Sequence, residues 1–304
     1  MLKPTRRVII TFLGPALFFY LMIFLYPTIR TLFMSFFAVV SVSDPFYRWS
    51  FNGFNNFMNI FNTPIFIRSL VNIGRLWFFG GLGVMFMALL FAVILTTENF
   101  KGTKFFRAAI YLPNVVSAIA MGAMWLNYVY NPEFGLLNQI LGTLGFEEAS
   151  RIQWTGPGYR FWAMLVAYCF GMVGYHMLIF ISGIEQVPKD YYDAALIDGA
   201  NVFQRFINVT LPFIRGVTRT NIVMWTVFTV GFFVWGQLFS PVNLSNDTVA
   251  PMNYMYQIVF GAAAAANIVR DSGAGAAIGV TMMIMVVLVF FVTSFIVRKD
   301  DAEV

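Results

Sequence analysis

Six apolar stretches, each long enough to cross a lipid bilayer, divide this 304-residue chain. A helix needs about 20 residues to span the hydrocarbon core. The stretches cover about residues 8–39, 69–97, 108–130, 161–182, 220–239 and 274–297. The first is longer than the bilayer requires, so it tilts or projects. The expected fold class is all-α: a polytopic membrane protein with six transmembrane helices. No soluble domain is visible, so residues 1–304 read as a single transmembrane domain.

Charge is scarce and unevenly placed. Only 11% of the residues are charged and the mean hydropathy is +0.74. A soluble chain carries roughly 25% charged residues, so lipid is the main solvent here. Lys3, Arg6, Arg7, Lys101, Lys104, Arg107, Lys189, Arg205, Arg215, Arg219, Arg298 and Lys299 fall on one side of the six spans. Arg48, Arg151 and Arg270 fall on the other, with Arg68 and Arg160 at the very edges of spans on that side. Lys and Arg concentrate in cytoplasmic loops, so both termini are expected in the cytoplasm, as an even number of spans requires. The net charge of +5 then needs no nucleic-acid partner. The N-terminal stretch is too long for a signal peptide and lacks a small-residue cleavage site, so it reads as a retained anchor. Cys169 is the single cysteine, which excludes an internal disulfide and a cysteine metal cluster.

One polar loop, between the fourth and fifth stretches, has more internal order than a connector needs. Pro188 suits the start of a helix, Asp190 complements its dipole, and Gly199 suits a left-handed stop. Asn201 and Gln204 have capping-box spacing. Phe203, Phe206, Ile207 and Thr210 follow at helical spacing, predicting a second helix with an apolar face, and Pro212 ends it. On the opposite side, residues 51–57 form an amphipathic stretch expected at the membrane surface. Residues 252–260 are weakly apolar, and Ala262–Ala266 follow after a break, too interrupted for a seventh span. Pro113, Gly171, Gly174, Gly273, Gly275 and Gly279 lie within spans, where small residues let helices approach closely.

Several function classes are excluded. The chain has no HExxH, no nucleophile elbow and no Walker phosphate loop. His176 is the only histidine, so no histidine metal cluster can form. No catalytic residue, metal site or bound cofactor is expected. Ion-coupled carriers keep titratable groups deep in the membrane, yet the cores of these six spans hold almost none. Arg30 and Arg75 lie near outer ends, where their side chains can snorkel, and Glu98 sits at an inner end. Active transport by this chain would draw its energy from a partner.

The loop also carries a resemblance. Asp193-Ala194-Ala195-x-x-x-Gly199, followed after nine residues by Val209-x-Leu211-Pro212, resembles the EAA motif of ABC-importer permease subunits. That family has Glu where this chain has Asp193, and Ile where it has Val209. Other stretches resemble the first-permease type of the sugar branch, seen in maltose, lactose and glycerol-3-phosphate systems: Phe12-Leu13-Gly14-Pro15-Ala16, Leu25-Tyr26-Pro27-Thr28, Phe106-Arg107-Ala108 with Leu112-Pro113, and the run from Asn131 to Asn138. The resemblance implies a type I importer permease fold and import of a sugar or sugar-like solute. It implies a second permease subunit as heterodimer partner, two ATPase subunits that use ATP and Mg, and a soluble binding protein outside. It places the chain in a bacterial cytoplasmic (inner) membrane. Residues 183–217 become the coupling loop, with Asp193, Ala194, Ala195, Gly199, Leu211 and Pro212 at the ATPase. Phe203 and Phe206 are expected to anchor the loop to the membrane domain.

In maltose-type permeases, the spans flanking this loop line the sugar. Counting outward from the motif, the resemblance points to Met172 and Tyr175 before the loop and to Trp225, Phe228, Thr229 and Phe232 after it. His176 is adjacent. Packing is the competing role for these side chains. A stand-alone secondary carrier or channel is the alternative function, and an export-type component or structural anchor a further one. The coupling loop and the shortage of intramembrane charge favour the importer.

Overall fold

The computed structural model describes residues 6–97, 102–240, 245–261 and 270–296. Lys3, Glu98, Lys101, Ala262–Ala266, Arg298 and Lys299, all named above, lie outside the described residues. The described chain is almost wholly helical and divides into two compact units, residues 1–67 with 254–284 and residues 68–253 with 285–304.

The first unit begins with α1, residues 6–34, which is α-helical over Arg6–Phe19 and Tyr26–Met34 and opens into a wider π-turn over Tyr20–Leu25. The wide turn immediately precedes Pro27, whose ring cannot sit against the carbonyl one turn back. The apolar window of α1 buries none of its residues within the chain, so its surroundings are lipid or another polypeptide. A two-residue hairpin follows, Phe37–Ala38 (β1) against Ser50–Phe51 (β2), antiparallel. Asn56, on α2 (Asn55–Phe61), is buried and donates its amide to the carbonyls of Ser35 and Phe37, both at 2.9 Å. Arg30 donates to the Val42 carbonyl at 2.7 Å, and its guanidinium lies over the Phe46 and Trp49 rings. It is held by this outer turn as well as being near the end of its span.

The second unit is built on α3 (residues 64–97), from Arg68 onward, and α7 (Arg160–Ile184). Ala88 and Ala92 of α3 are fully buried and pack with Met177, Phe180, Ile181 and Ile184 of α7. Small residues on one helix admit large ones from the other, which is how packing holds membrane helices together. Gly174 does the same for α4 (Thr103–Val115): a Cβ there would collide with the Ile110 carbonyl and the Tyr111 backbone. Gly171 admits no comparable contact, but its carbonyl accepts from the Asn114 amide at 3.2 Å. Arg107 pairs with Glu185 at 2.7 Å where α4 begins and α7 ends.

Two stretches expected as single spans are broken. Residues 108–130 split between α4 and α5 (residues 118–129), which meet at 97°. Ser117 leaves helical geometry and caps α5 by accepting from the Ala120 N–H at 3.3 Å, so the chain restarts instead of continuing. Residues 220–239 split between α10 (Arg215–Val230) and α11 (Val234–Phe239), with the break at Gly231-Phe232-Phe233. Among the described residues, four helices are long and apolar enough to cross a membrane, or five if the bent pair counts as one span. Between α5 and α7 lies α6 (Leu136–Thr143). Residues 252–260 lie on a helix, α12 (Pro251–Phe260), and α13 (Ser272–Ile296) closes the described chain. In the first unit, Gly273 lies under the Phe37 carbonyl and Gly275 against Val259, whereas Gly279 has open space.

Candidate functional site

The loop between α7 and α10 folds as two short helices. The first, α8 (Lys189–Ile197), starts one residue after Pro188, which occupies the cap position in extended geometry, and carries Asp190 in its first turn. It ends at Gly199, whose φ is +77°, with the Ala200 N–H bonded to the Ala195 carbonyl at 2.9 Å. That bond across a left-handed glycine is the standard way to satisfy terminal carbonyls. The second helix, α9, spans residues 202–213. Asn201 accepts from the Gln204 N–H at 2.9 Å and its own N–H donates to the Gln204 side chain at 2.8 Å, so the capping box is formed. A π-turn over Phe206–Thr210 precedes Pro212, repeating the arrangement at Pro27.

Two side-chain contacts fix α8 against α9. The Tyr192 and Thr210 hydroxyls are hydrogen-bonded at 2.9 Å, and the Tyr191 and Phe213 rings meet edge to face at 4.7 Å. The expected anchors are corrected by this packing. Phe203 is 68% exposed and Phe206 only half-buried, whereas Val209, Thr210 and Ile214 are buried. Burial is concentrated at the far end of α9, where Thr210 lies on the expected face, and not at its start. Asp193, Ala194 and Gly199 are exposed, Ala195 is half-buried, and Leu211 packs from a half-buried position toward the cluster around Ile214, near Pro212. Leu196 and Ile197 at the end of α8 and Val202 and Phe203 at the start of α9 are exposed apolar side chains, with Ile197 at 87%.

The helices flanking the loop carry the proposed path residues, and the structure sorts them into two groups. Met172, His176, Trp225, Thr229 and Phe232 are buried. Tyr175 is half-buried and Phe228 is 39% exposed, and their rings meet perpendicularly at 5.1 Å. The buried group is held by specific bonds. His176 Nδ1 lies 2.7 Å from Asn221 Oδ1, and the Trp225 indole donates to the Trp77 carbonyl at 2.9 Å. Trp77 in turn donates to the Thr226 hydroxyl at 2.9 Å, and Tyr168 packs on both Trp225 and Phe232. His176 Nε2 and Asn221 Nδ2 are buried without a hydrogen-bond partner among the described residues. Asn221, Trp77 and Tyr168 were not singled out by the sequence. Asn221 had a signal, since it is an amide inside an apolar run. Among the described residues, no group of three or more His, Cys, Asp or Glu could hold a metal.

Comparison with known proteins adds the following. No family model matches the chain. It is 31% identical over 261 residues to the diacetylchitobiose uptake system permease protein NgcF of Streptomyces coelicolor, covering 83% of this chain and 71% of the relative. It is 31% identical over 288 residues to the arabinooligosaccharides transport system permease protein AraP of Halalkalibacterium halodurans, covering 91% of this chain and 83% of the relative. Among solved structures, a chain of a bacterial ABC transporter involved in the import of the acidic polysaccharide alginate is similar in fold. Its TM-score is 0.72 at 21% identity, covering 96% of this chain and 95% of that one.

Proposed function

The chain belongs to the family of sugar ABC-importer permease subunits, and from that premise we propose how it works: it forms one half of a path for a short neutral oligosaccharide, moved by ATPase subunits that grip the loop of residues 183–217. It is a translocation subunit, and ATP hydrolysis sits in separate subunits. The other half of the path is a second permease. Two ATPase subunits, using ATP and Mg, dock on the cytoplasmic side, and a soluble binding protein delivers the sugar from outside. The membrane is the bacterial inner membrane, crossed six times with both termini inside, the broken pairs α4–α5 and α10–α11 each making one crossing. The whole of residues 1–304 acts as one permease domain.

The observation that carries this reading is the exposure of four large apolar side chains, Leu196, Ile197, Val202 and Phe203, on either side of the turn of a capped loop. Contiguous exposed apolar side chains outside lipid mark a docking surface. The fixed turn at Gly199 and the Tyr192–Thr210 bond let a push on α8 reach α7 and α10 without being absorbed locally. Asp193 and Ala194 are exposed on the same helix, α8, as Leu196 and Ile197, so both can touch the ATPase. Neutral sugars are supported by the cleft beside Tyr175, which no Asp, Glu, Lys or Arg lines. The relatives named for diacetylchitobiose and arabinooligosaccharides support a short oligosaccharide. The test is co-purification: the double variant Leu196→Asp/Ile197→Asp should keep the second permease and lose the ATPase subunits. Full retention of the ATPases would remove the loop from the docking surface.

A further inference from the structure

Arg107 joins the ends of three helices. Its Nη2 donates to Glu185 Oε1 at 2.7 Å and to the Leu95 carbonyl at 3.4 Å. Glu185 is the residue that caps α7, where the chain passes into the loop of residues 183–217. Leu95 lies in the last turn of α3. We propose that the Arg107–Glu185 pair is a releasable latch: it fixes the start of α4 to the loop end of α7 in the resting subunit, and it parts when the loop is displaced. Arg107 is thus a positioning residue for coupling. The proposal rests on the function stated above and adds the contact within this chain that the ATPase stroke must break.

The chemistry at this corner calls for a cation and supplies only a weak clamp. The carbonyls that close α3 and α7 carry partial negative charge. Glu185 adds a carboxylate to the end of α7, an unfavourable place for an anion unless a cation meets it. The N-terminus of α4 favours anions, so α4 alone gives no reason for an arginine in its second turn. The bonds to α3 and α7 give that reason. The pair is open to solvent, with Arg107 29% and Glu185 52% exposed. Exposed ion pairs add little to stability, so this one can set a resting position and still be overcome. The Leu95 carbonyl leaves the guanidinium a partner on α3 once Glu185 has moved away.

The packing beyond the pair supplies a pivot and room to turn. Gly174 brings α7 against the Ile110 carbonyl and the Tyr111 backbone of α4 so closely that a Cβ there would collide. Glu185 lies eleven residues further along the chain, about 16 Å at the helical rise of 1.5 Å per residue. Between these two points α4 and α7 are not in full contact. A cleft of about 370 Å³ is lined there by Tyr111 of α4 and by Leu178 and Ser182 of α7, with Val217 of α10 as a further wall. A close contact at one end, a void in the middle and a polar pair at the other end make a hinge with a catch. The packing of Ala88 and Ala92 with Met177, Phe180 and Ile181 keeps α3 and α7 together, so α4 is the element that swings.

The experiment uses the complex assembled in lipid vesicles with its second permease and ATPase subunits. ATP hydrolysis is measured without additions, and with binding protein plus maltotriose, arabinotriose or diacetylchitobiose. Arg107→Gln and Glu185→Gln should each raise the hydrolysis seen without additions by about twofold to fivefold, the population shift that an exposed ion pair can supply. The ATP hydrolysed per sugar imported should rise with it, while the midpoint of thermal unfolding stays at the wild-type value. The exchange Arg107→Glu/Glu185→Arg should bring both ATP readings back toward wild type. Arg107→Cys/Glu185→Cys in a Cys169→Ala background, bridged by a short bismaleimide, should lose stimulation by binding protein and sugar. Wild-type ATP readings in both glutamine variants, full stimulation of the bridged complex, or a lowered midpoint that the exchange does not restore overturns the proposal; the last result would make the pair a structural contact only. Stimulation of the wild-type complex is scored separately. Stimulation by at least one sugar with no effect of the variants removes the latch and leaves the function standing, whereas a wild-type complex that no sugar stimulates removes the function and the latch with it.

Discussion

His176 and Asn221 face each other across α7 and α10, with Nδ1 of the imidazole 2.7 Å from the amide oxygen, and both side chains are fully buried. An amide oxygen can only accept, so Nδ1 carries the proton. These are the two helices that enter and leave the loop of residues 183–217. The Trp225–Trp77 and Trp77–Thr226 bonds add α3 to the same body. A force on the loop thus meets a braced trio of helices, which favours lever motion over local bending.

Asn221→Ala should loosen this brace. Interhelical hydrogen bonds in membranes contribute about 0.6 kcal/mol on average and up to about 1.7 kcal/mol, and the variant leaves a buried imidazole N–H unpaired. The midpoint of thermal unfolding of the purified complex should fall. An unchanged midpoint would show that the pair does not brace the helices.

The two groups of path candidates should respond differently to truncation. Trp225→Ala removes a buried ring and two helix-bridging contacts, so it should cost about 3–5 kcal/mol of stability and lower the yield of complex. Tyr175→Ala and Phe228→Ala remove rings that face open space, and should leave assembly intact while slowing uptake by an amount equivalent to about 1–3 kcal/mol. Uptake at wild-type rates in both, across a range of substrate concentrations, would make these rings packing residues.

Gly199→Val tests the loop. The glycine sits at positive φ with open space around a Cβ, so the cost is backbone strain alone, about 1–2 kcal/mol. The protein should insert and assemble, yet ATP hydrolysis should drive uptake poorly. Gly199→Asn, which tolerates the left-handed region, should retain more transport. Equal transport by both variants and the wild type would detach the turn from coupling.

Topology follows from the charge asymmetry. A cysteine at Lys189 should be modified only from the cytoplasmic face, and one at Arg151 only from outside, both in a Cys169→Ala background. Modification of both from the same face would break the six-span arrangement.

Much of this structure was legible in the residues, for identifiable reasons. The two-helix loop between α7 and α10 depends on local chemistry, and Gly199, Asn201 and Gln204 each carry it within a few positions, so the turn and the capping box formed where expected. Breaks inside apolar runs were harder. Apolar residues continue on both sides of Ser117 and of Gly231, and only the cap geometry or the helix direction reveals the restart. On α9, Val209 and Thr210 are buried while Phe203 is exposed, because which end of that helix meets the rest of the chain is a tertiary matter that spacing along the helix does not carry. Which rings of the path face open space is a tertiary question. Phe228 and Trp225 are three residues apart on one helix, and only the position of α3 decides that Trp225 is the buried one.

The most direct measurement is uptake of labelled maltotriose, arabinotriose and diacetylchitobiose into proteoliposomes. They would hold this chain with its second permease and ATPase subunits, with the binding protein outside and ATP inside. The account predicts that at least one sugar accumulates, and that accumulation stops when ATP, the ATPase subunits or the binding protein is withheld. Accumulation by this chain alone, driven by an imposed proton or sodium gradient, would contradict it.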